Sequence, residues 1–564
     1  MYYAVMSRLL SLLLLFTVCT VINGCTTARF IVQQNPTINI AQATGMATLP
    51  TLYSLTTDEL SHYCSSLVDD TDFVLIHRLH CSSHLLGRPN LSETTQTQSL
   101  ATYNQAIYDL TQASKSGLIP EDRVRLSYTN DVVFTFTNDI ISIDPRLMPA
   151  VLGEIGVPIV TRRDNTKTGL DLFAPLEGVY EDASINLHKI QLVDGLFFEV
   201  ILNINTFNTD TIKTPNESKH PTINIGSNQY TIKHSPGAAF LSLIEHADID
   251  NYNWLGFVSA KEAEKRRGVF AVGGISQTKI PIIMIHGLNS DPLIWRHLTM
   301  AILNEPSLIE KHQVWHVYYP SGPPPFYNAA RTRANLLSVV EALGNPELAK
   351  EAVIVGHSMG GVIAKLLATK ADFELWDAAF TKRPSKVINP ENIPLKDIFM
   401  FEPVFENNTV FFLDTPFKGS EVANSAIGYI GAFLVSLPSE FTQLFQDFID
   451  RVGPDILTEK MRPFLIDYGP SSVHVLRPGH PLMDTLYNMP VVGDSYAIIG
   501  SNGRLLCDDE VSCASISDSV VSYSSANYMF ANEKMIVRSS HNSFKSVQAI
   551  EFIVERLKKK ITTQ

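Results

Sequence analysis

Residues 352–361, Ala-Val-Ile-Val-Gly-His-Ser-Met-Gly-Gly, constrain this chain more than any other stretch. An unbroken apolar run stops at Gly356-His-Ser-Met-Gly360 and resumes as a helical pattern over 362–369. That order predicts a buried strand, a sharp turn and a helix. Gly356 and Gly360 flank Ser358 at the two places where a Cβ would collide with the neighbouring strand and helix. Ser358 then sits in a strained turn, its hydroxyl exposed at the strand's carboxyl end and next to a helix N-terminus. The first amides of that helix have no intrahelical acceptor, so the Met359 N–H can bind a developing oxyanion. Ser358 is the candidate nucleophile.

In the layout that goes with such a turn, an oxyanion loop precedes the serine, and the acid and then the histidine follow it. Upstream, the continuous apolar stretch 279–285 predicts a strand that ends in His286-Gly-Leu-Asn-Ser-Asp291. Gly287 lets the backbone approach a ligand, and the Leu288 N–H is the second donor beside Met359. Downstream, residues 534–544 run from a short apolar segment into a polar loop just before a final helix over 546–560. His541, in that loop, is the candidate general base that takes the Ser358 proton and later protonates the leaving group. His474 and His480 are nearer to Ser358 but precede the strand predicted over 495–500, so chain order excludes them.

The segments His286-Gly-Leu-Asn-Ser290, Gly356-His-Ser-Met-Gly-Gly361 and Leu413-Asp-Thr-Pro-Phe-Lys-Gly-Ser420 together resemble the bacterial lipase/esterase branch of the α/β-hydrolase superfamily. Within it the chain is most similar to the GPI-inositol-deacylase-like (PGAP1-like) lipases, which carry a Thr-Pro-His-Arg-Gly-Ser-like segment where this chain has Thr415 to Ser420. The resemblance covers roughly 275–560. It implies an α/β-hydrolase fold, a mostly parallel sheet covered on both faces, with helical lid insertions at about 371–408 and 420–490. It also implies an acid loop at 515–526, with Asp518 orienting His541. Asp414, directly after the apolar run 409–413, is the alternative acid, because some members of the superfamily place it there. The implied chemistry is carboxylic ester hydrolysis through an acyl-enzyme, on an acyl ester or lipid substrate, with no metal or organic cofactor required. Acyl transfer, thioester cleavage and amide cleavage use the same machinery and stay open. So does a non-catalytic surface-binding lipoprotein.

Residues 1–24 carry one positive charge, Arg8, and an apolar run over 9–22, short of the ~20 residues that span a bilayer and suited to a signal peptide. Ile22-Asn-Gly-Cys25 resembles a bacterial lipobox, which implies lipidation of Cys25. Thr26 after the cysteine implies the outer membrane of a bacterial cell envelope. A triacylated terminus could hold a folded body there, at roughly 0.8 kcal/mol per buried CH2. Of the six cysteines, Cys64, Cys81, Cys507 and Cys513 stay in the exported chain. Proximity predicts the bridges Cys64–Cys81 and Cys507–Cys513. The acids at 508–510 read as a solvated turn rather than a calcium loop.

At 564 residues the chain is too long for one core. A net charge of −13 argues against nucleic acid and against electrostatic docking on anionic lipid. The expected division is a lipidated tether over 25–55, an N-terminal accessory domain over 56–255 and a catalytic domain over 256–564. In the accessory domain the pattern is helical over 57–117. It then turns to strands at 132–137, 185–190, 197–204, 222–225 and 230–232, which predicts a half-exposed antiparallel sheet. Two apolar segments, 423–437 and 439–452, predict a helical hairpin or a lid with an apolar inner face.

Overall fold

The computed structural model describes residues 31–33, 52–67, 71–127, 133–194, 197–207, 221–246, 264–384, 393–424, 443, 450, 453–464, 471–506 and 509–563. The leader, Cys25, most of the tether, Cys507 and most of the apolar segments 423–437 and 439–452 lie outside these residues. Among the described residues no helix is long and apolar enough to cross a membrane.

Three helices open the N-terminal half: α1 (Thr57–Ser66), α2 (Asp72–Leu86) and α3 (Glu93–Lys115). Each starts at a hydroxyl cap, Thr56, Thr71 or Ser92, whose side chain accepts an otherwise unpaired first-turn amide. Cys64 and Cys81 are bridged, with Cα atoms 5.7 Å apart, which staples α1 to α2. The recurrent apolar positions of α3 face inward, with Tyr103, Ile107 and Leu110 fully buried. They pack on a sheet of β1 (Val124–Ser127), β2 (Val133–Phe136), β3 (Val157–Arg163), β4 (Val179–Val193) and β5 (Phe197–Thr206), in the order β1-β5-β4-β3-β2.

This sheet differs from the expected one in three ways. Its β1–β5 pair is parallel. Strands β1 and β3 have no counterpart in the sequence reading, since β3 begins Val-Pro and carries consecutive arginines at its end. The strands at Thr222–Ile225 and Asn228–Thr231 pair only with each other, as a hairpin closed by Gly226 at φ 59°.

The second half is built on a seven-stranded sheet. Its strands are β6 (Gly268–Ala271), β7 (Ile280–Ile285), β8 (His312–Tyr318), β9 (Glu351–His357), β10 (Asn407–Leu413), β11 (Gly493–Ser501) and β12 (Glu533–Arg538). The order is β6-β8-β7-β9-β10-β11-β12, and only the β6–β8 pair is antiparallel. Strand order reverses at β7, so the loops after β7 and β9 meet at a crevice over the carboxyl ends of the central strands, where open α/β sheets bind ligands. The pattern of the sequence reads as one helix over 298–308, but the structure breaks it in two, Arg296–Leu303 and Pro306–Lys311, because Pro306 cannot donate to the first and starts the second. The insertion at 371–408 contains short helices at Glu374–Ala379 and Ile393–Phe399 and ends before β10.

The halves share a core. Helix α4 (Pro236–His246) buries Phe240, Leu241 and Ile244 in one apolar cluster with Leu147, Trp295, Leu298 and Phe544. Polar contacts reinforce it: Asp144 Oδ2 lies 2.8 Å from His297 Nε2, and Asn304 accepts from the Ala150 amide at 2.8 Å.

Candidate active site

The turn after β9 has the form its glycines require. Ser358 lies at φ 54° and ψ −124°, a region costly for any residue with a Cβ, and its amide donates to Leu413 O at 2.8 Å. A Cβ on Gly356 would stand 2.5 Å from Gly360 O, and one on Gly360 would strike the Ile285 and His286 carbonyls. Helix α5 (Met359–Ala368) follows at once, with Met359 as its first residue. The loop after β7 closes against this turn: a Cβ on Gly287 would lie 3.1 Å from both Ser358 Cβ and His357 Nδ1. That proximity brings the backbone around Leu288 to the serine. His286 is fully buried, stacked on Tyr319 with ring centroids 4.3 Å apart, and its carbonyl accepts from the Tyr319 hydroxyl at 2.5 Å. Burial pushes its imidazole down to about 3, so it serves the loop as a neutral prop.

Ser358, His541 and Asp518, widely separated in sequence, come together in a line. Ser358 Oγ is 2.9 Å from His541 Nε2, and His541 Nδ1 is 2.7 Å from Asp518 Oδ2. A carboxylate only accepts, so Nδ1 carries the proton, and Nε2 is left to accept from the serine hydroxyl. The second oxygen of Asp518 accepts the Val520 and Val521 amides at 2.8 and 2.7 Å, which fixes the carboxylate in its loop. Ser519, next to Asp518 in this loop, adopts φ 76°. Burial lowers the His541 imidazole, but the Asp518 hydrogen bond and charge, with Asp414 behind them, more than offset it. The net direction is above the ordinary histidine value.

Asp414 is also present, fully buried at the end of β10, but it does not hold the His541 ring. It accepts from the Gly500 amide at 2.8 Å and the Ser543 amide at 3.0 Å, and its Oδ2 lies 3.6 Å from His357 Nε2. Ligand-type atoms of His357, Asp414 and His541 lie within 4.8 Å of one another. The Asp414 oxygens and both His541 nitrogens already have hydrogen-bond partners within the protein. His357 escaped the sequence reading although it stands inside the motif; the only signal for it was its place beside Ser358.

Other expectations fall elsewhere. His480 caps a helix by accepting the Leu482 amide at 3.3 Å. Asp509 accepts the Ser512 amide, so this acid is a helix cap. Cys513 is disulfide-bonded, while its expected partner Cys507 lies outside the described residues. An apolar cavity of about 90 Å3 between α4 and β6, lined by Phe240, Leu243, Phe270, Leu293 and Tyr318 among others, contains none of the site residues. Among the described residues, five of the eight non-glycine residues at positive φ, namely Asn289, Ser358, Asp414, Ser519 and His541, cluster at this site. Such clustering marks backbone held in place by its surroundings for a purpose.

The strand order and the strand–turn–helix at Ser358 define an α/β-hydrolase fold. Residues 282–495 match the alpha/beta hydrolase family model, so the chain carries a domain of that family. No curated protein sequence matches the chain. Among solved structures it is similar to the mature lipase BlEst2 of Bacillus licheniformis, at 14% identity over 51% of this chain and 97% of that one, with a TM-score of 0.30. It is also similar to an alpha/beta superfamily hydrolase from Oenococcus oeni, at 15% identity over 52% and 96%, with a TM-score of 0.26. A third is a lipase-esterase related protein from Clostridium acetobutylicum, at 13% identity over 52% and 98%, with a TM-score of 0.25. The fold assignment rests on the family match and the strand order, not on these likenesses.

Proposed function

We propose that this chain is a serine carboxylic ester hydrolase of the lipase/esterase type. The observation that carries the reading is the unbroken line from the Ser358 hydroxyl through the His541 imidazole to the Asp518 carboxylate, at 2.9 and 2.7 Å. Ser358 Oγ attacks the ester carbonyl as His541 Nε2 takes its proton. The Leu288 and Met359 amides receive the oxyanion, and the imidazolium then protonates the departing alcohol. Water, activated by the same imidazole, attacks the acyl-enzyme and releases the acid. Asp518 stabilises the imidazolium and keeps the ring in the tautomer that leaves Nε2 free.

The test is covalent labelling of the purified chain by a fluorophosphonate, beside Ser358→Ala, followed by hydrolysis of esters of graded acyl length. Labelling that vanishes in the variant supports an activated Ser358. Absence of labelling in a folded wild-type chain would sink the reading. The same chain, we propose further, is held at the bacterial envelope by lipid on Cys25, on the basis of the lipobox-like Ile22-Asn-Gly-Cys25. Metabolic labelling with a fatty acid should mark the wild type and not Cys25→Ser. Equal labelling of both would remove the anchor from the proposal.

A further inference from the structure

We propose that Asp414 and His357 form a second carboxylate–imidazole pair that positions the backbone of His541 while Asp518 holds its ring. This inference rests on the reading of Ser358 and His541 as nucleophile and base. His541 lies at φ 59°, a left-handed conformation that a non-glycine residue keeps only when its surroundings impose it. The surroundings are specific. The His541 carbonyl is 3.2 Å from His357 Nε2, and the amide two residues further on, that of Ser543, donates to Asp414 Oδ2 at 3.0 Å. The backbone on the carboxyl side of the strained residue is therefore pinned at two points. The Phe544 ring packs on His357 at 4.7 Å and closes the arrangement from below.

Asp414 is held in turn. Its Oδ1 accepts the Gly500 amide at 2.8 Å, and its own backbone is left-handed at φ 50°. Gly500 is what lets two carboxylates stand side by side: a Cβ there would lie 2.7 Å from Asp414 Oδ1 and 3.0 Å from Asp518 Cβ. Because each Asp414 oxygen accepts an amide proton, the ionised form is the one that fits. His357 immediately precedes Ser358, so the pair links the nucleophile turn, the end of β10 and the histidine loop. Displacing it moves nucleophile and base relative to each other, and misplacement on the order of 1 Å can cost about a hundredfold in rate.

The charge has a second effect. The ionisable groups around His541 are Asp518 from the acid loop, Asp414 from β10 and His357 from the nucleophile turn, with His286 from the loop after β7 behind His357. The two imidazoles are kept neutral by burial, so the two carboxylates set the field at His541. Asp414 contributes to raising the His541 pKa. Removing its charge shifts that pKa down.

The experiment compares Asp414→Asn, His357→Leu and His357→Gln with wild type on a soluble short-chain ester, following kcat, KM and the pH profile of kcat/KM. Asp414→Asn must turn an NH2 group toward one of two amide donors. We expect kcat about 10- to 100-fold lower, KM within about twofold and the acidic limb moved to lower pH. His357→Leu should lose about tenfold in kcat, and His357→Gln, which keeps an N–H donor and should fold even if the leucine variant does not, should regain most of it. Three results would overturn the inference. One is an Asp414→Asn variant with unchanged kcat and acidic limb, even if its melting temperature falls. Another is His357→Gln no better than His357→Leu. The third is an Asp414→Asn loss as deep as that of Asp518→Asn, which would make Asp414 the acid itself. Fluorophosphonate labelling of Ser358 in the wild type separates the two levels. If Ser358 labels and the variants behave as wild type, only this inference fails; if Ser358 does not label, it fails together with the function it rests on.

Discussion

Each half of the molecule contains a buried carboxylate–imidazole pair of nearly the same geometry, yet only one has the parts of a catalytic site. In the hydrolase half, His541 Nδ1 is 2.7 Å from Asp518 Oδ2; in the N-terminal half, His234 Nδ1 is 2.8 Å from Asp182 Oδ2. Both carboxylates use their second oxygen to accept backbone amides, Ser235 in the case of Asp182. The difference lies beyond the pair. His541 presents Nε2 to a hydroxyl held in a strained turn at a helix N-terminus. His234 packs against Phe207, with centroids 4.8 Å apart, and the adjacent hydroxyl of Ser235 donates to the Ala150 carbonyl at 2.8 Å. The N-terminal pair ties β4 to the entry of α4 and so to the core that the halves share. A histidine on a buried aspartate is thus an ordinary structural device. What sets the His541 pair apart is the Ser358 hydroxyl placed at the other ring nitrogen.

The comparison can be broken most directly at the two serines. Ser358→Ala should lower ester hydrolysis by about 10^6-fold, whereas Ser235→Ala should leave kcat unchanged and cost about 1 kcal/mol of stability. Next are the aspartates. Asp518→Asn favours the wrong imidazole tautomer and should reduce kcat by about 10^4-fold with little change in melting temperature. Asp182→Asn should do the reverse, keeping kcat and losing about 3 kcal/mol in denaturant unfolding. An Asp182→Asn enzyme with strongly reduced kcat and intact stability would show that the N-terminal pair takes part in the chemistry.

Smaller effects appear with pH. The base must be neutral to accept the Ser358 proton. With His541 raised above the ordinary value near 6.5, kcat/KM should rise with pH through a midpoint above 6.5 and be lost on the acid side. A midpoint below 6.5 would contradict the field assigned to the two carboxylates. Stability should follow the buried neutral histidines. His286, His316 and His480, each pushed down by burial to about 3, stay unprotonated in the fold while the unfolded chain takes up protons below about pH 6.5. They add stability above that pH and withdraw it as pH falls toward 3. His541 acts with the opposite sign, stabilising below about 6.5 and losing its effect as pH rises through its raised value. Melting temperature should therefore drop between pH 6.5 and 4, and a flat profile would count against three neutral imidazoles in the core.

Some of this was legible in the sequence and some was not. The strand–Gly-His-Ser-Met-Gly–helix run dictated its own local structure, because only glycine fits where neighbouring carbonyls approach Gly356 and Gly360. Hydrophobic runs marked the central parallel strands, since strands covered on both faces are apolar at nearly every position. Helix caps at Thr56, Thr71 and Ser92 are local chemistry, and the break at Pro306 is local in cause too, although one helix over 298–308 was expected there.

Long-range pairing cannot be read that way. Asp414 directly follows an apolar run and Asp518 stands in the acid loop that the resemblance implies, and the choice of which one meets the His541 ring was made by where two loops converge around Gly500. The N-terminal sheet hid β3 behind a proline and charged residues, and its parallel β1–β5 contact depends on chain crossing rather than on alternation. Sequence by itself determined the serine's strained turn and the apolar strands around it, because those follow from sterics and apolar runs within a few residues. Tertiary structure alone decided which carboxylate holds the ring and which holds the backbone, because that depends on how the histidine loop meets one segment 23 residues away and another 129 residues away.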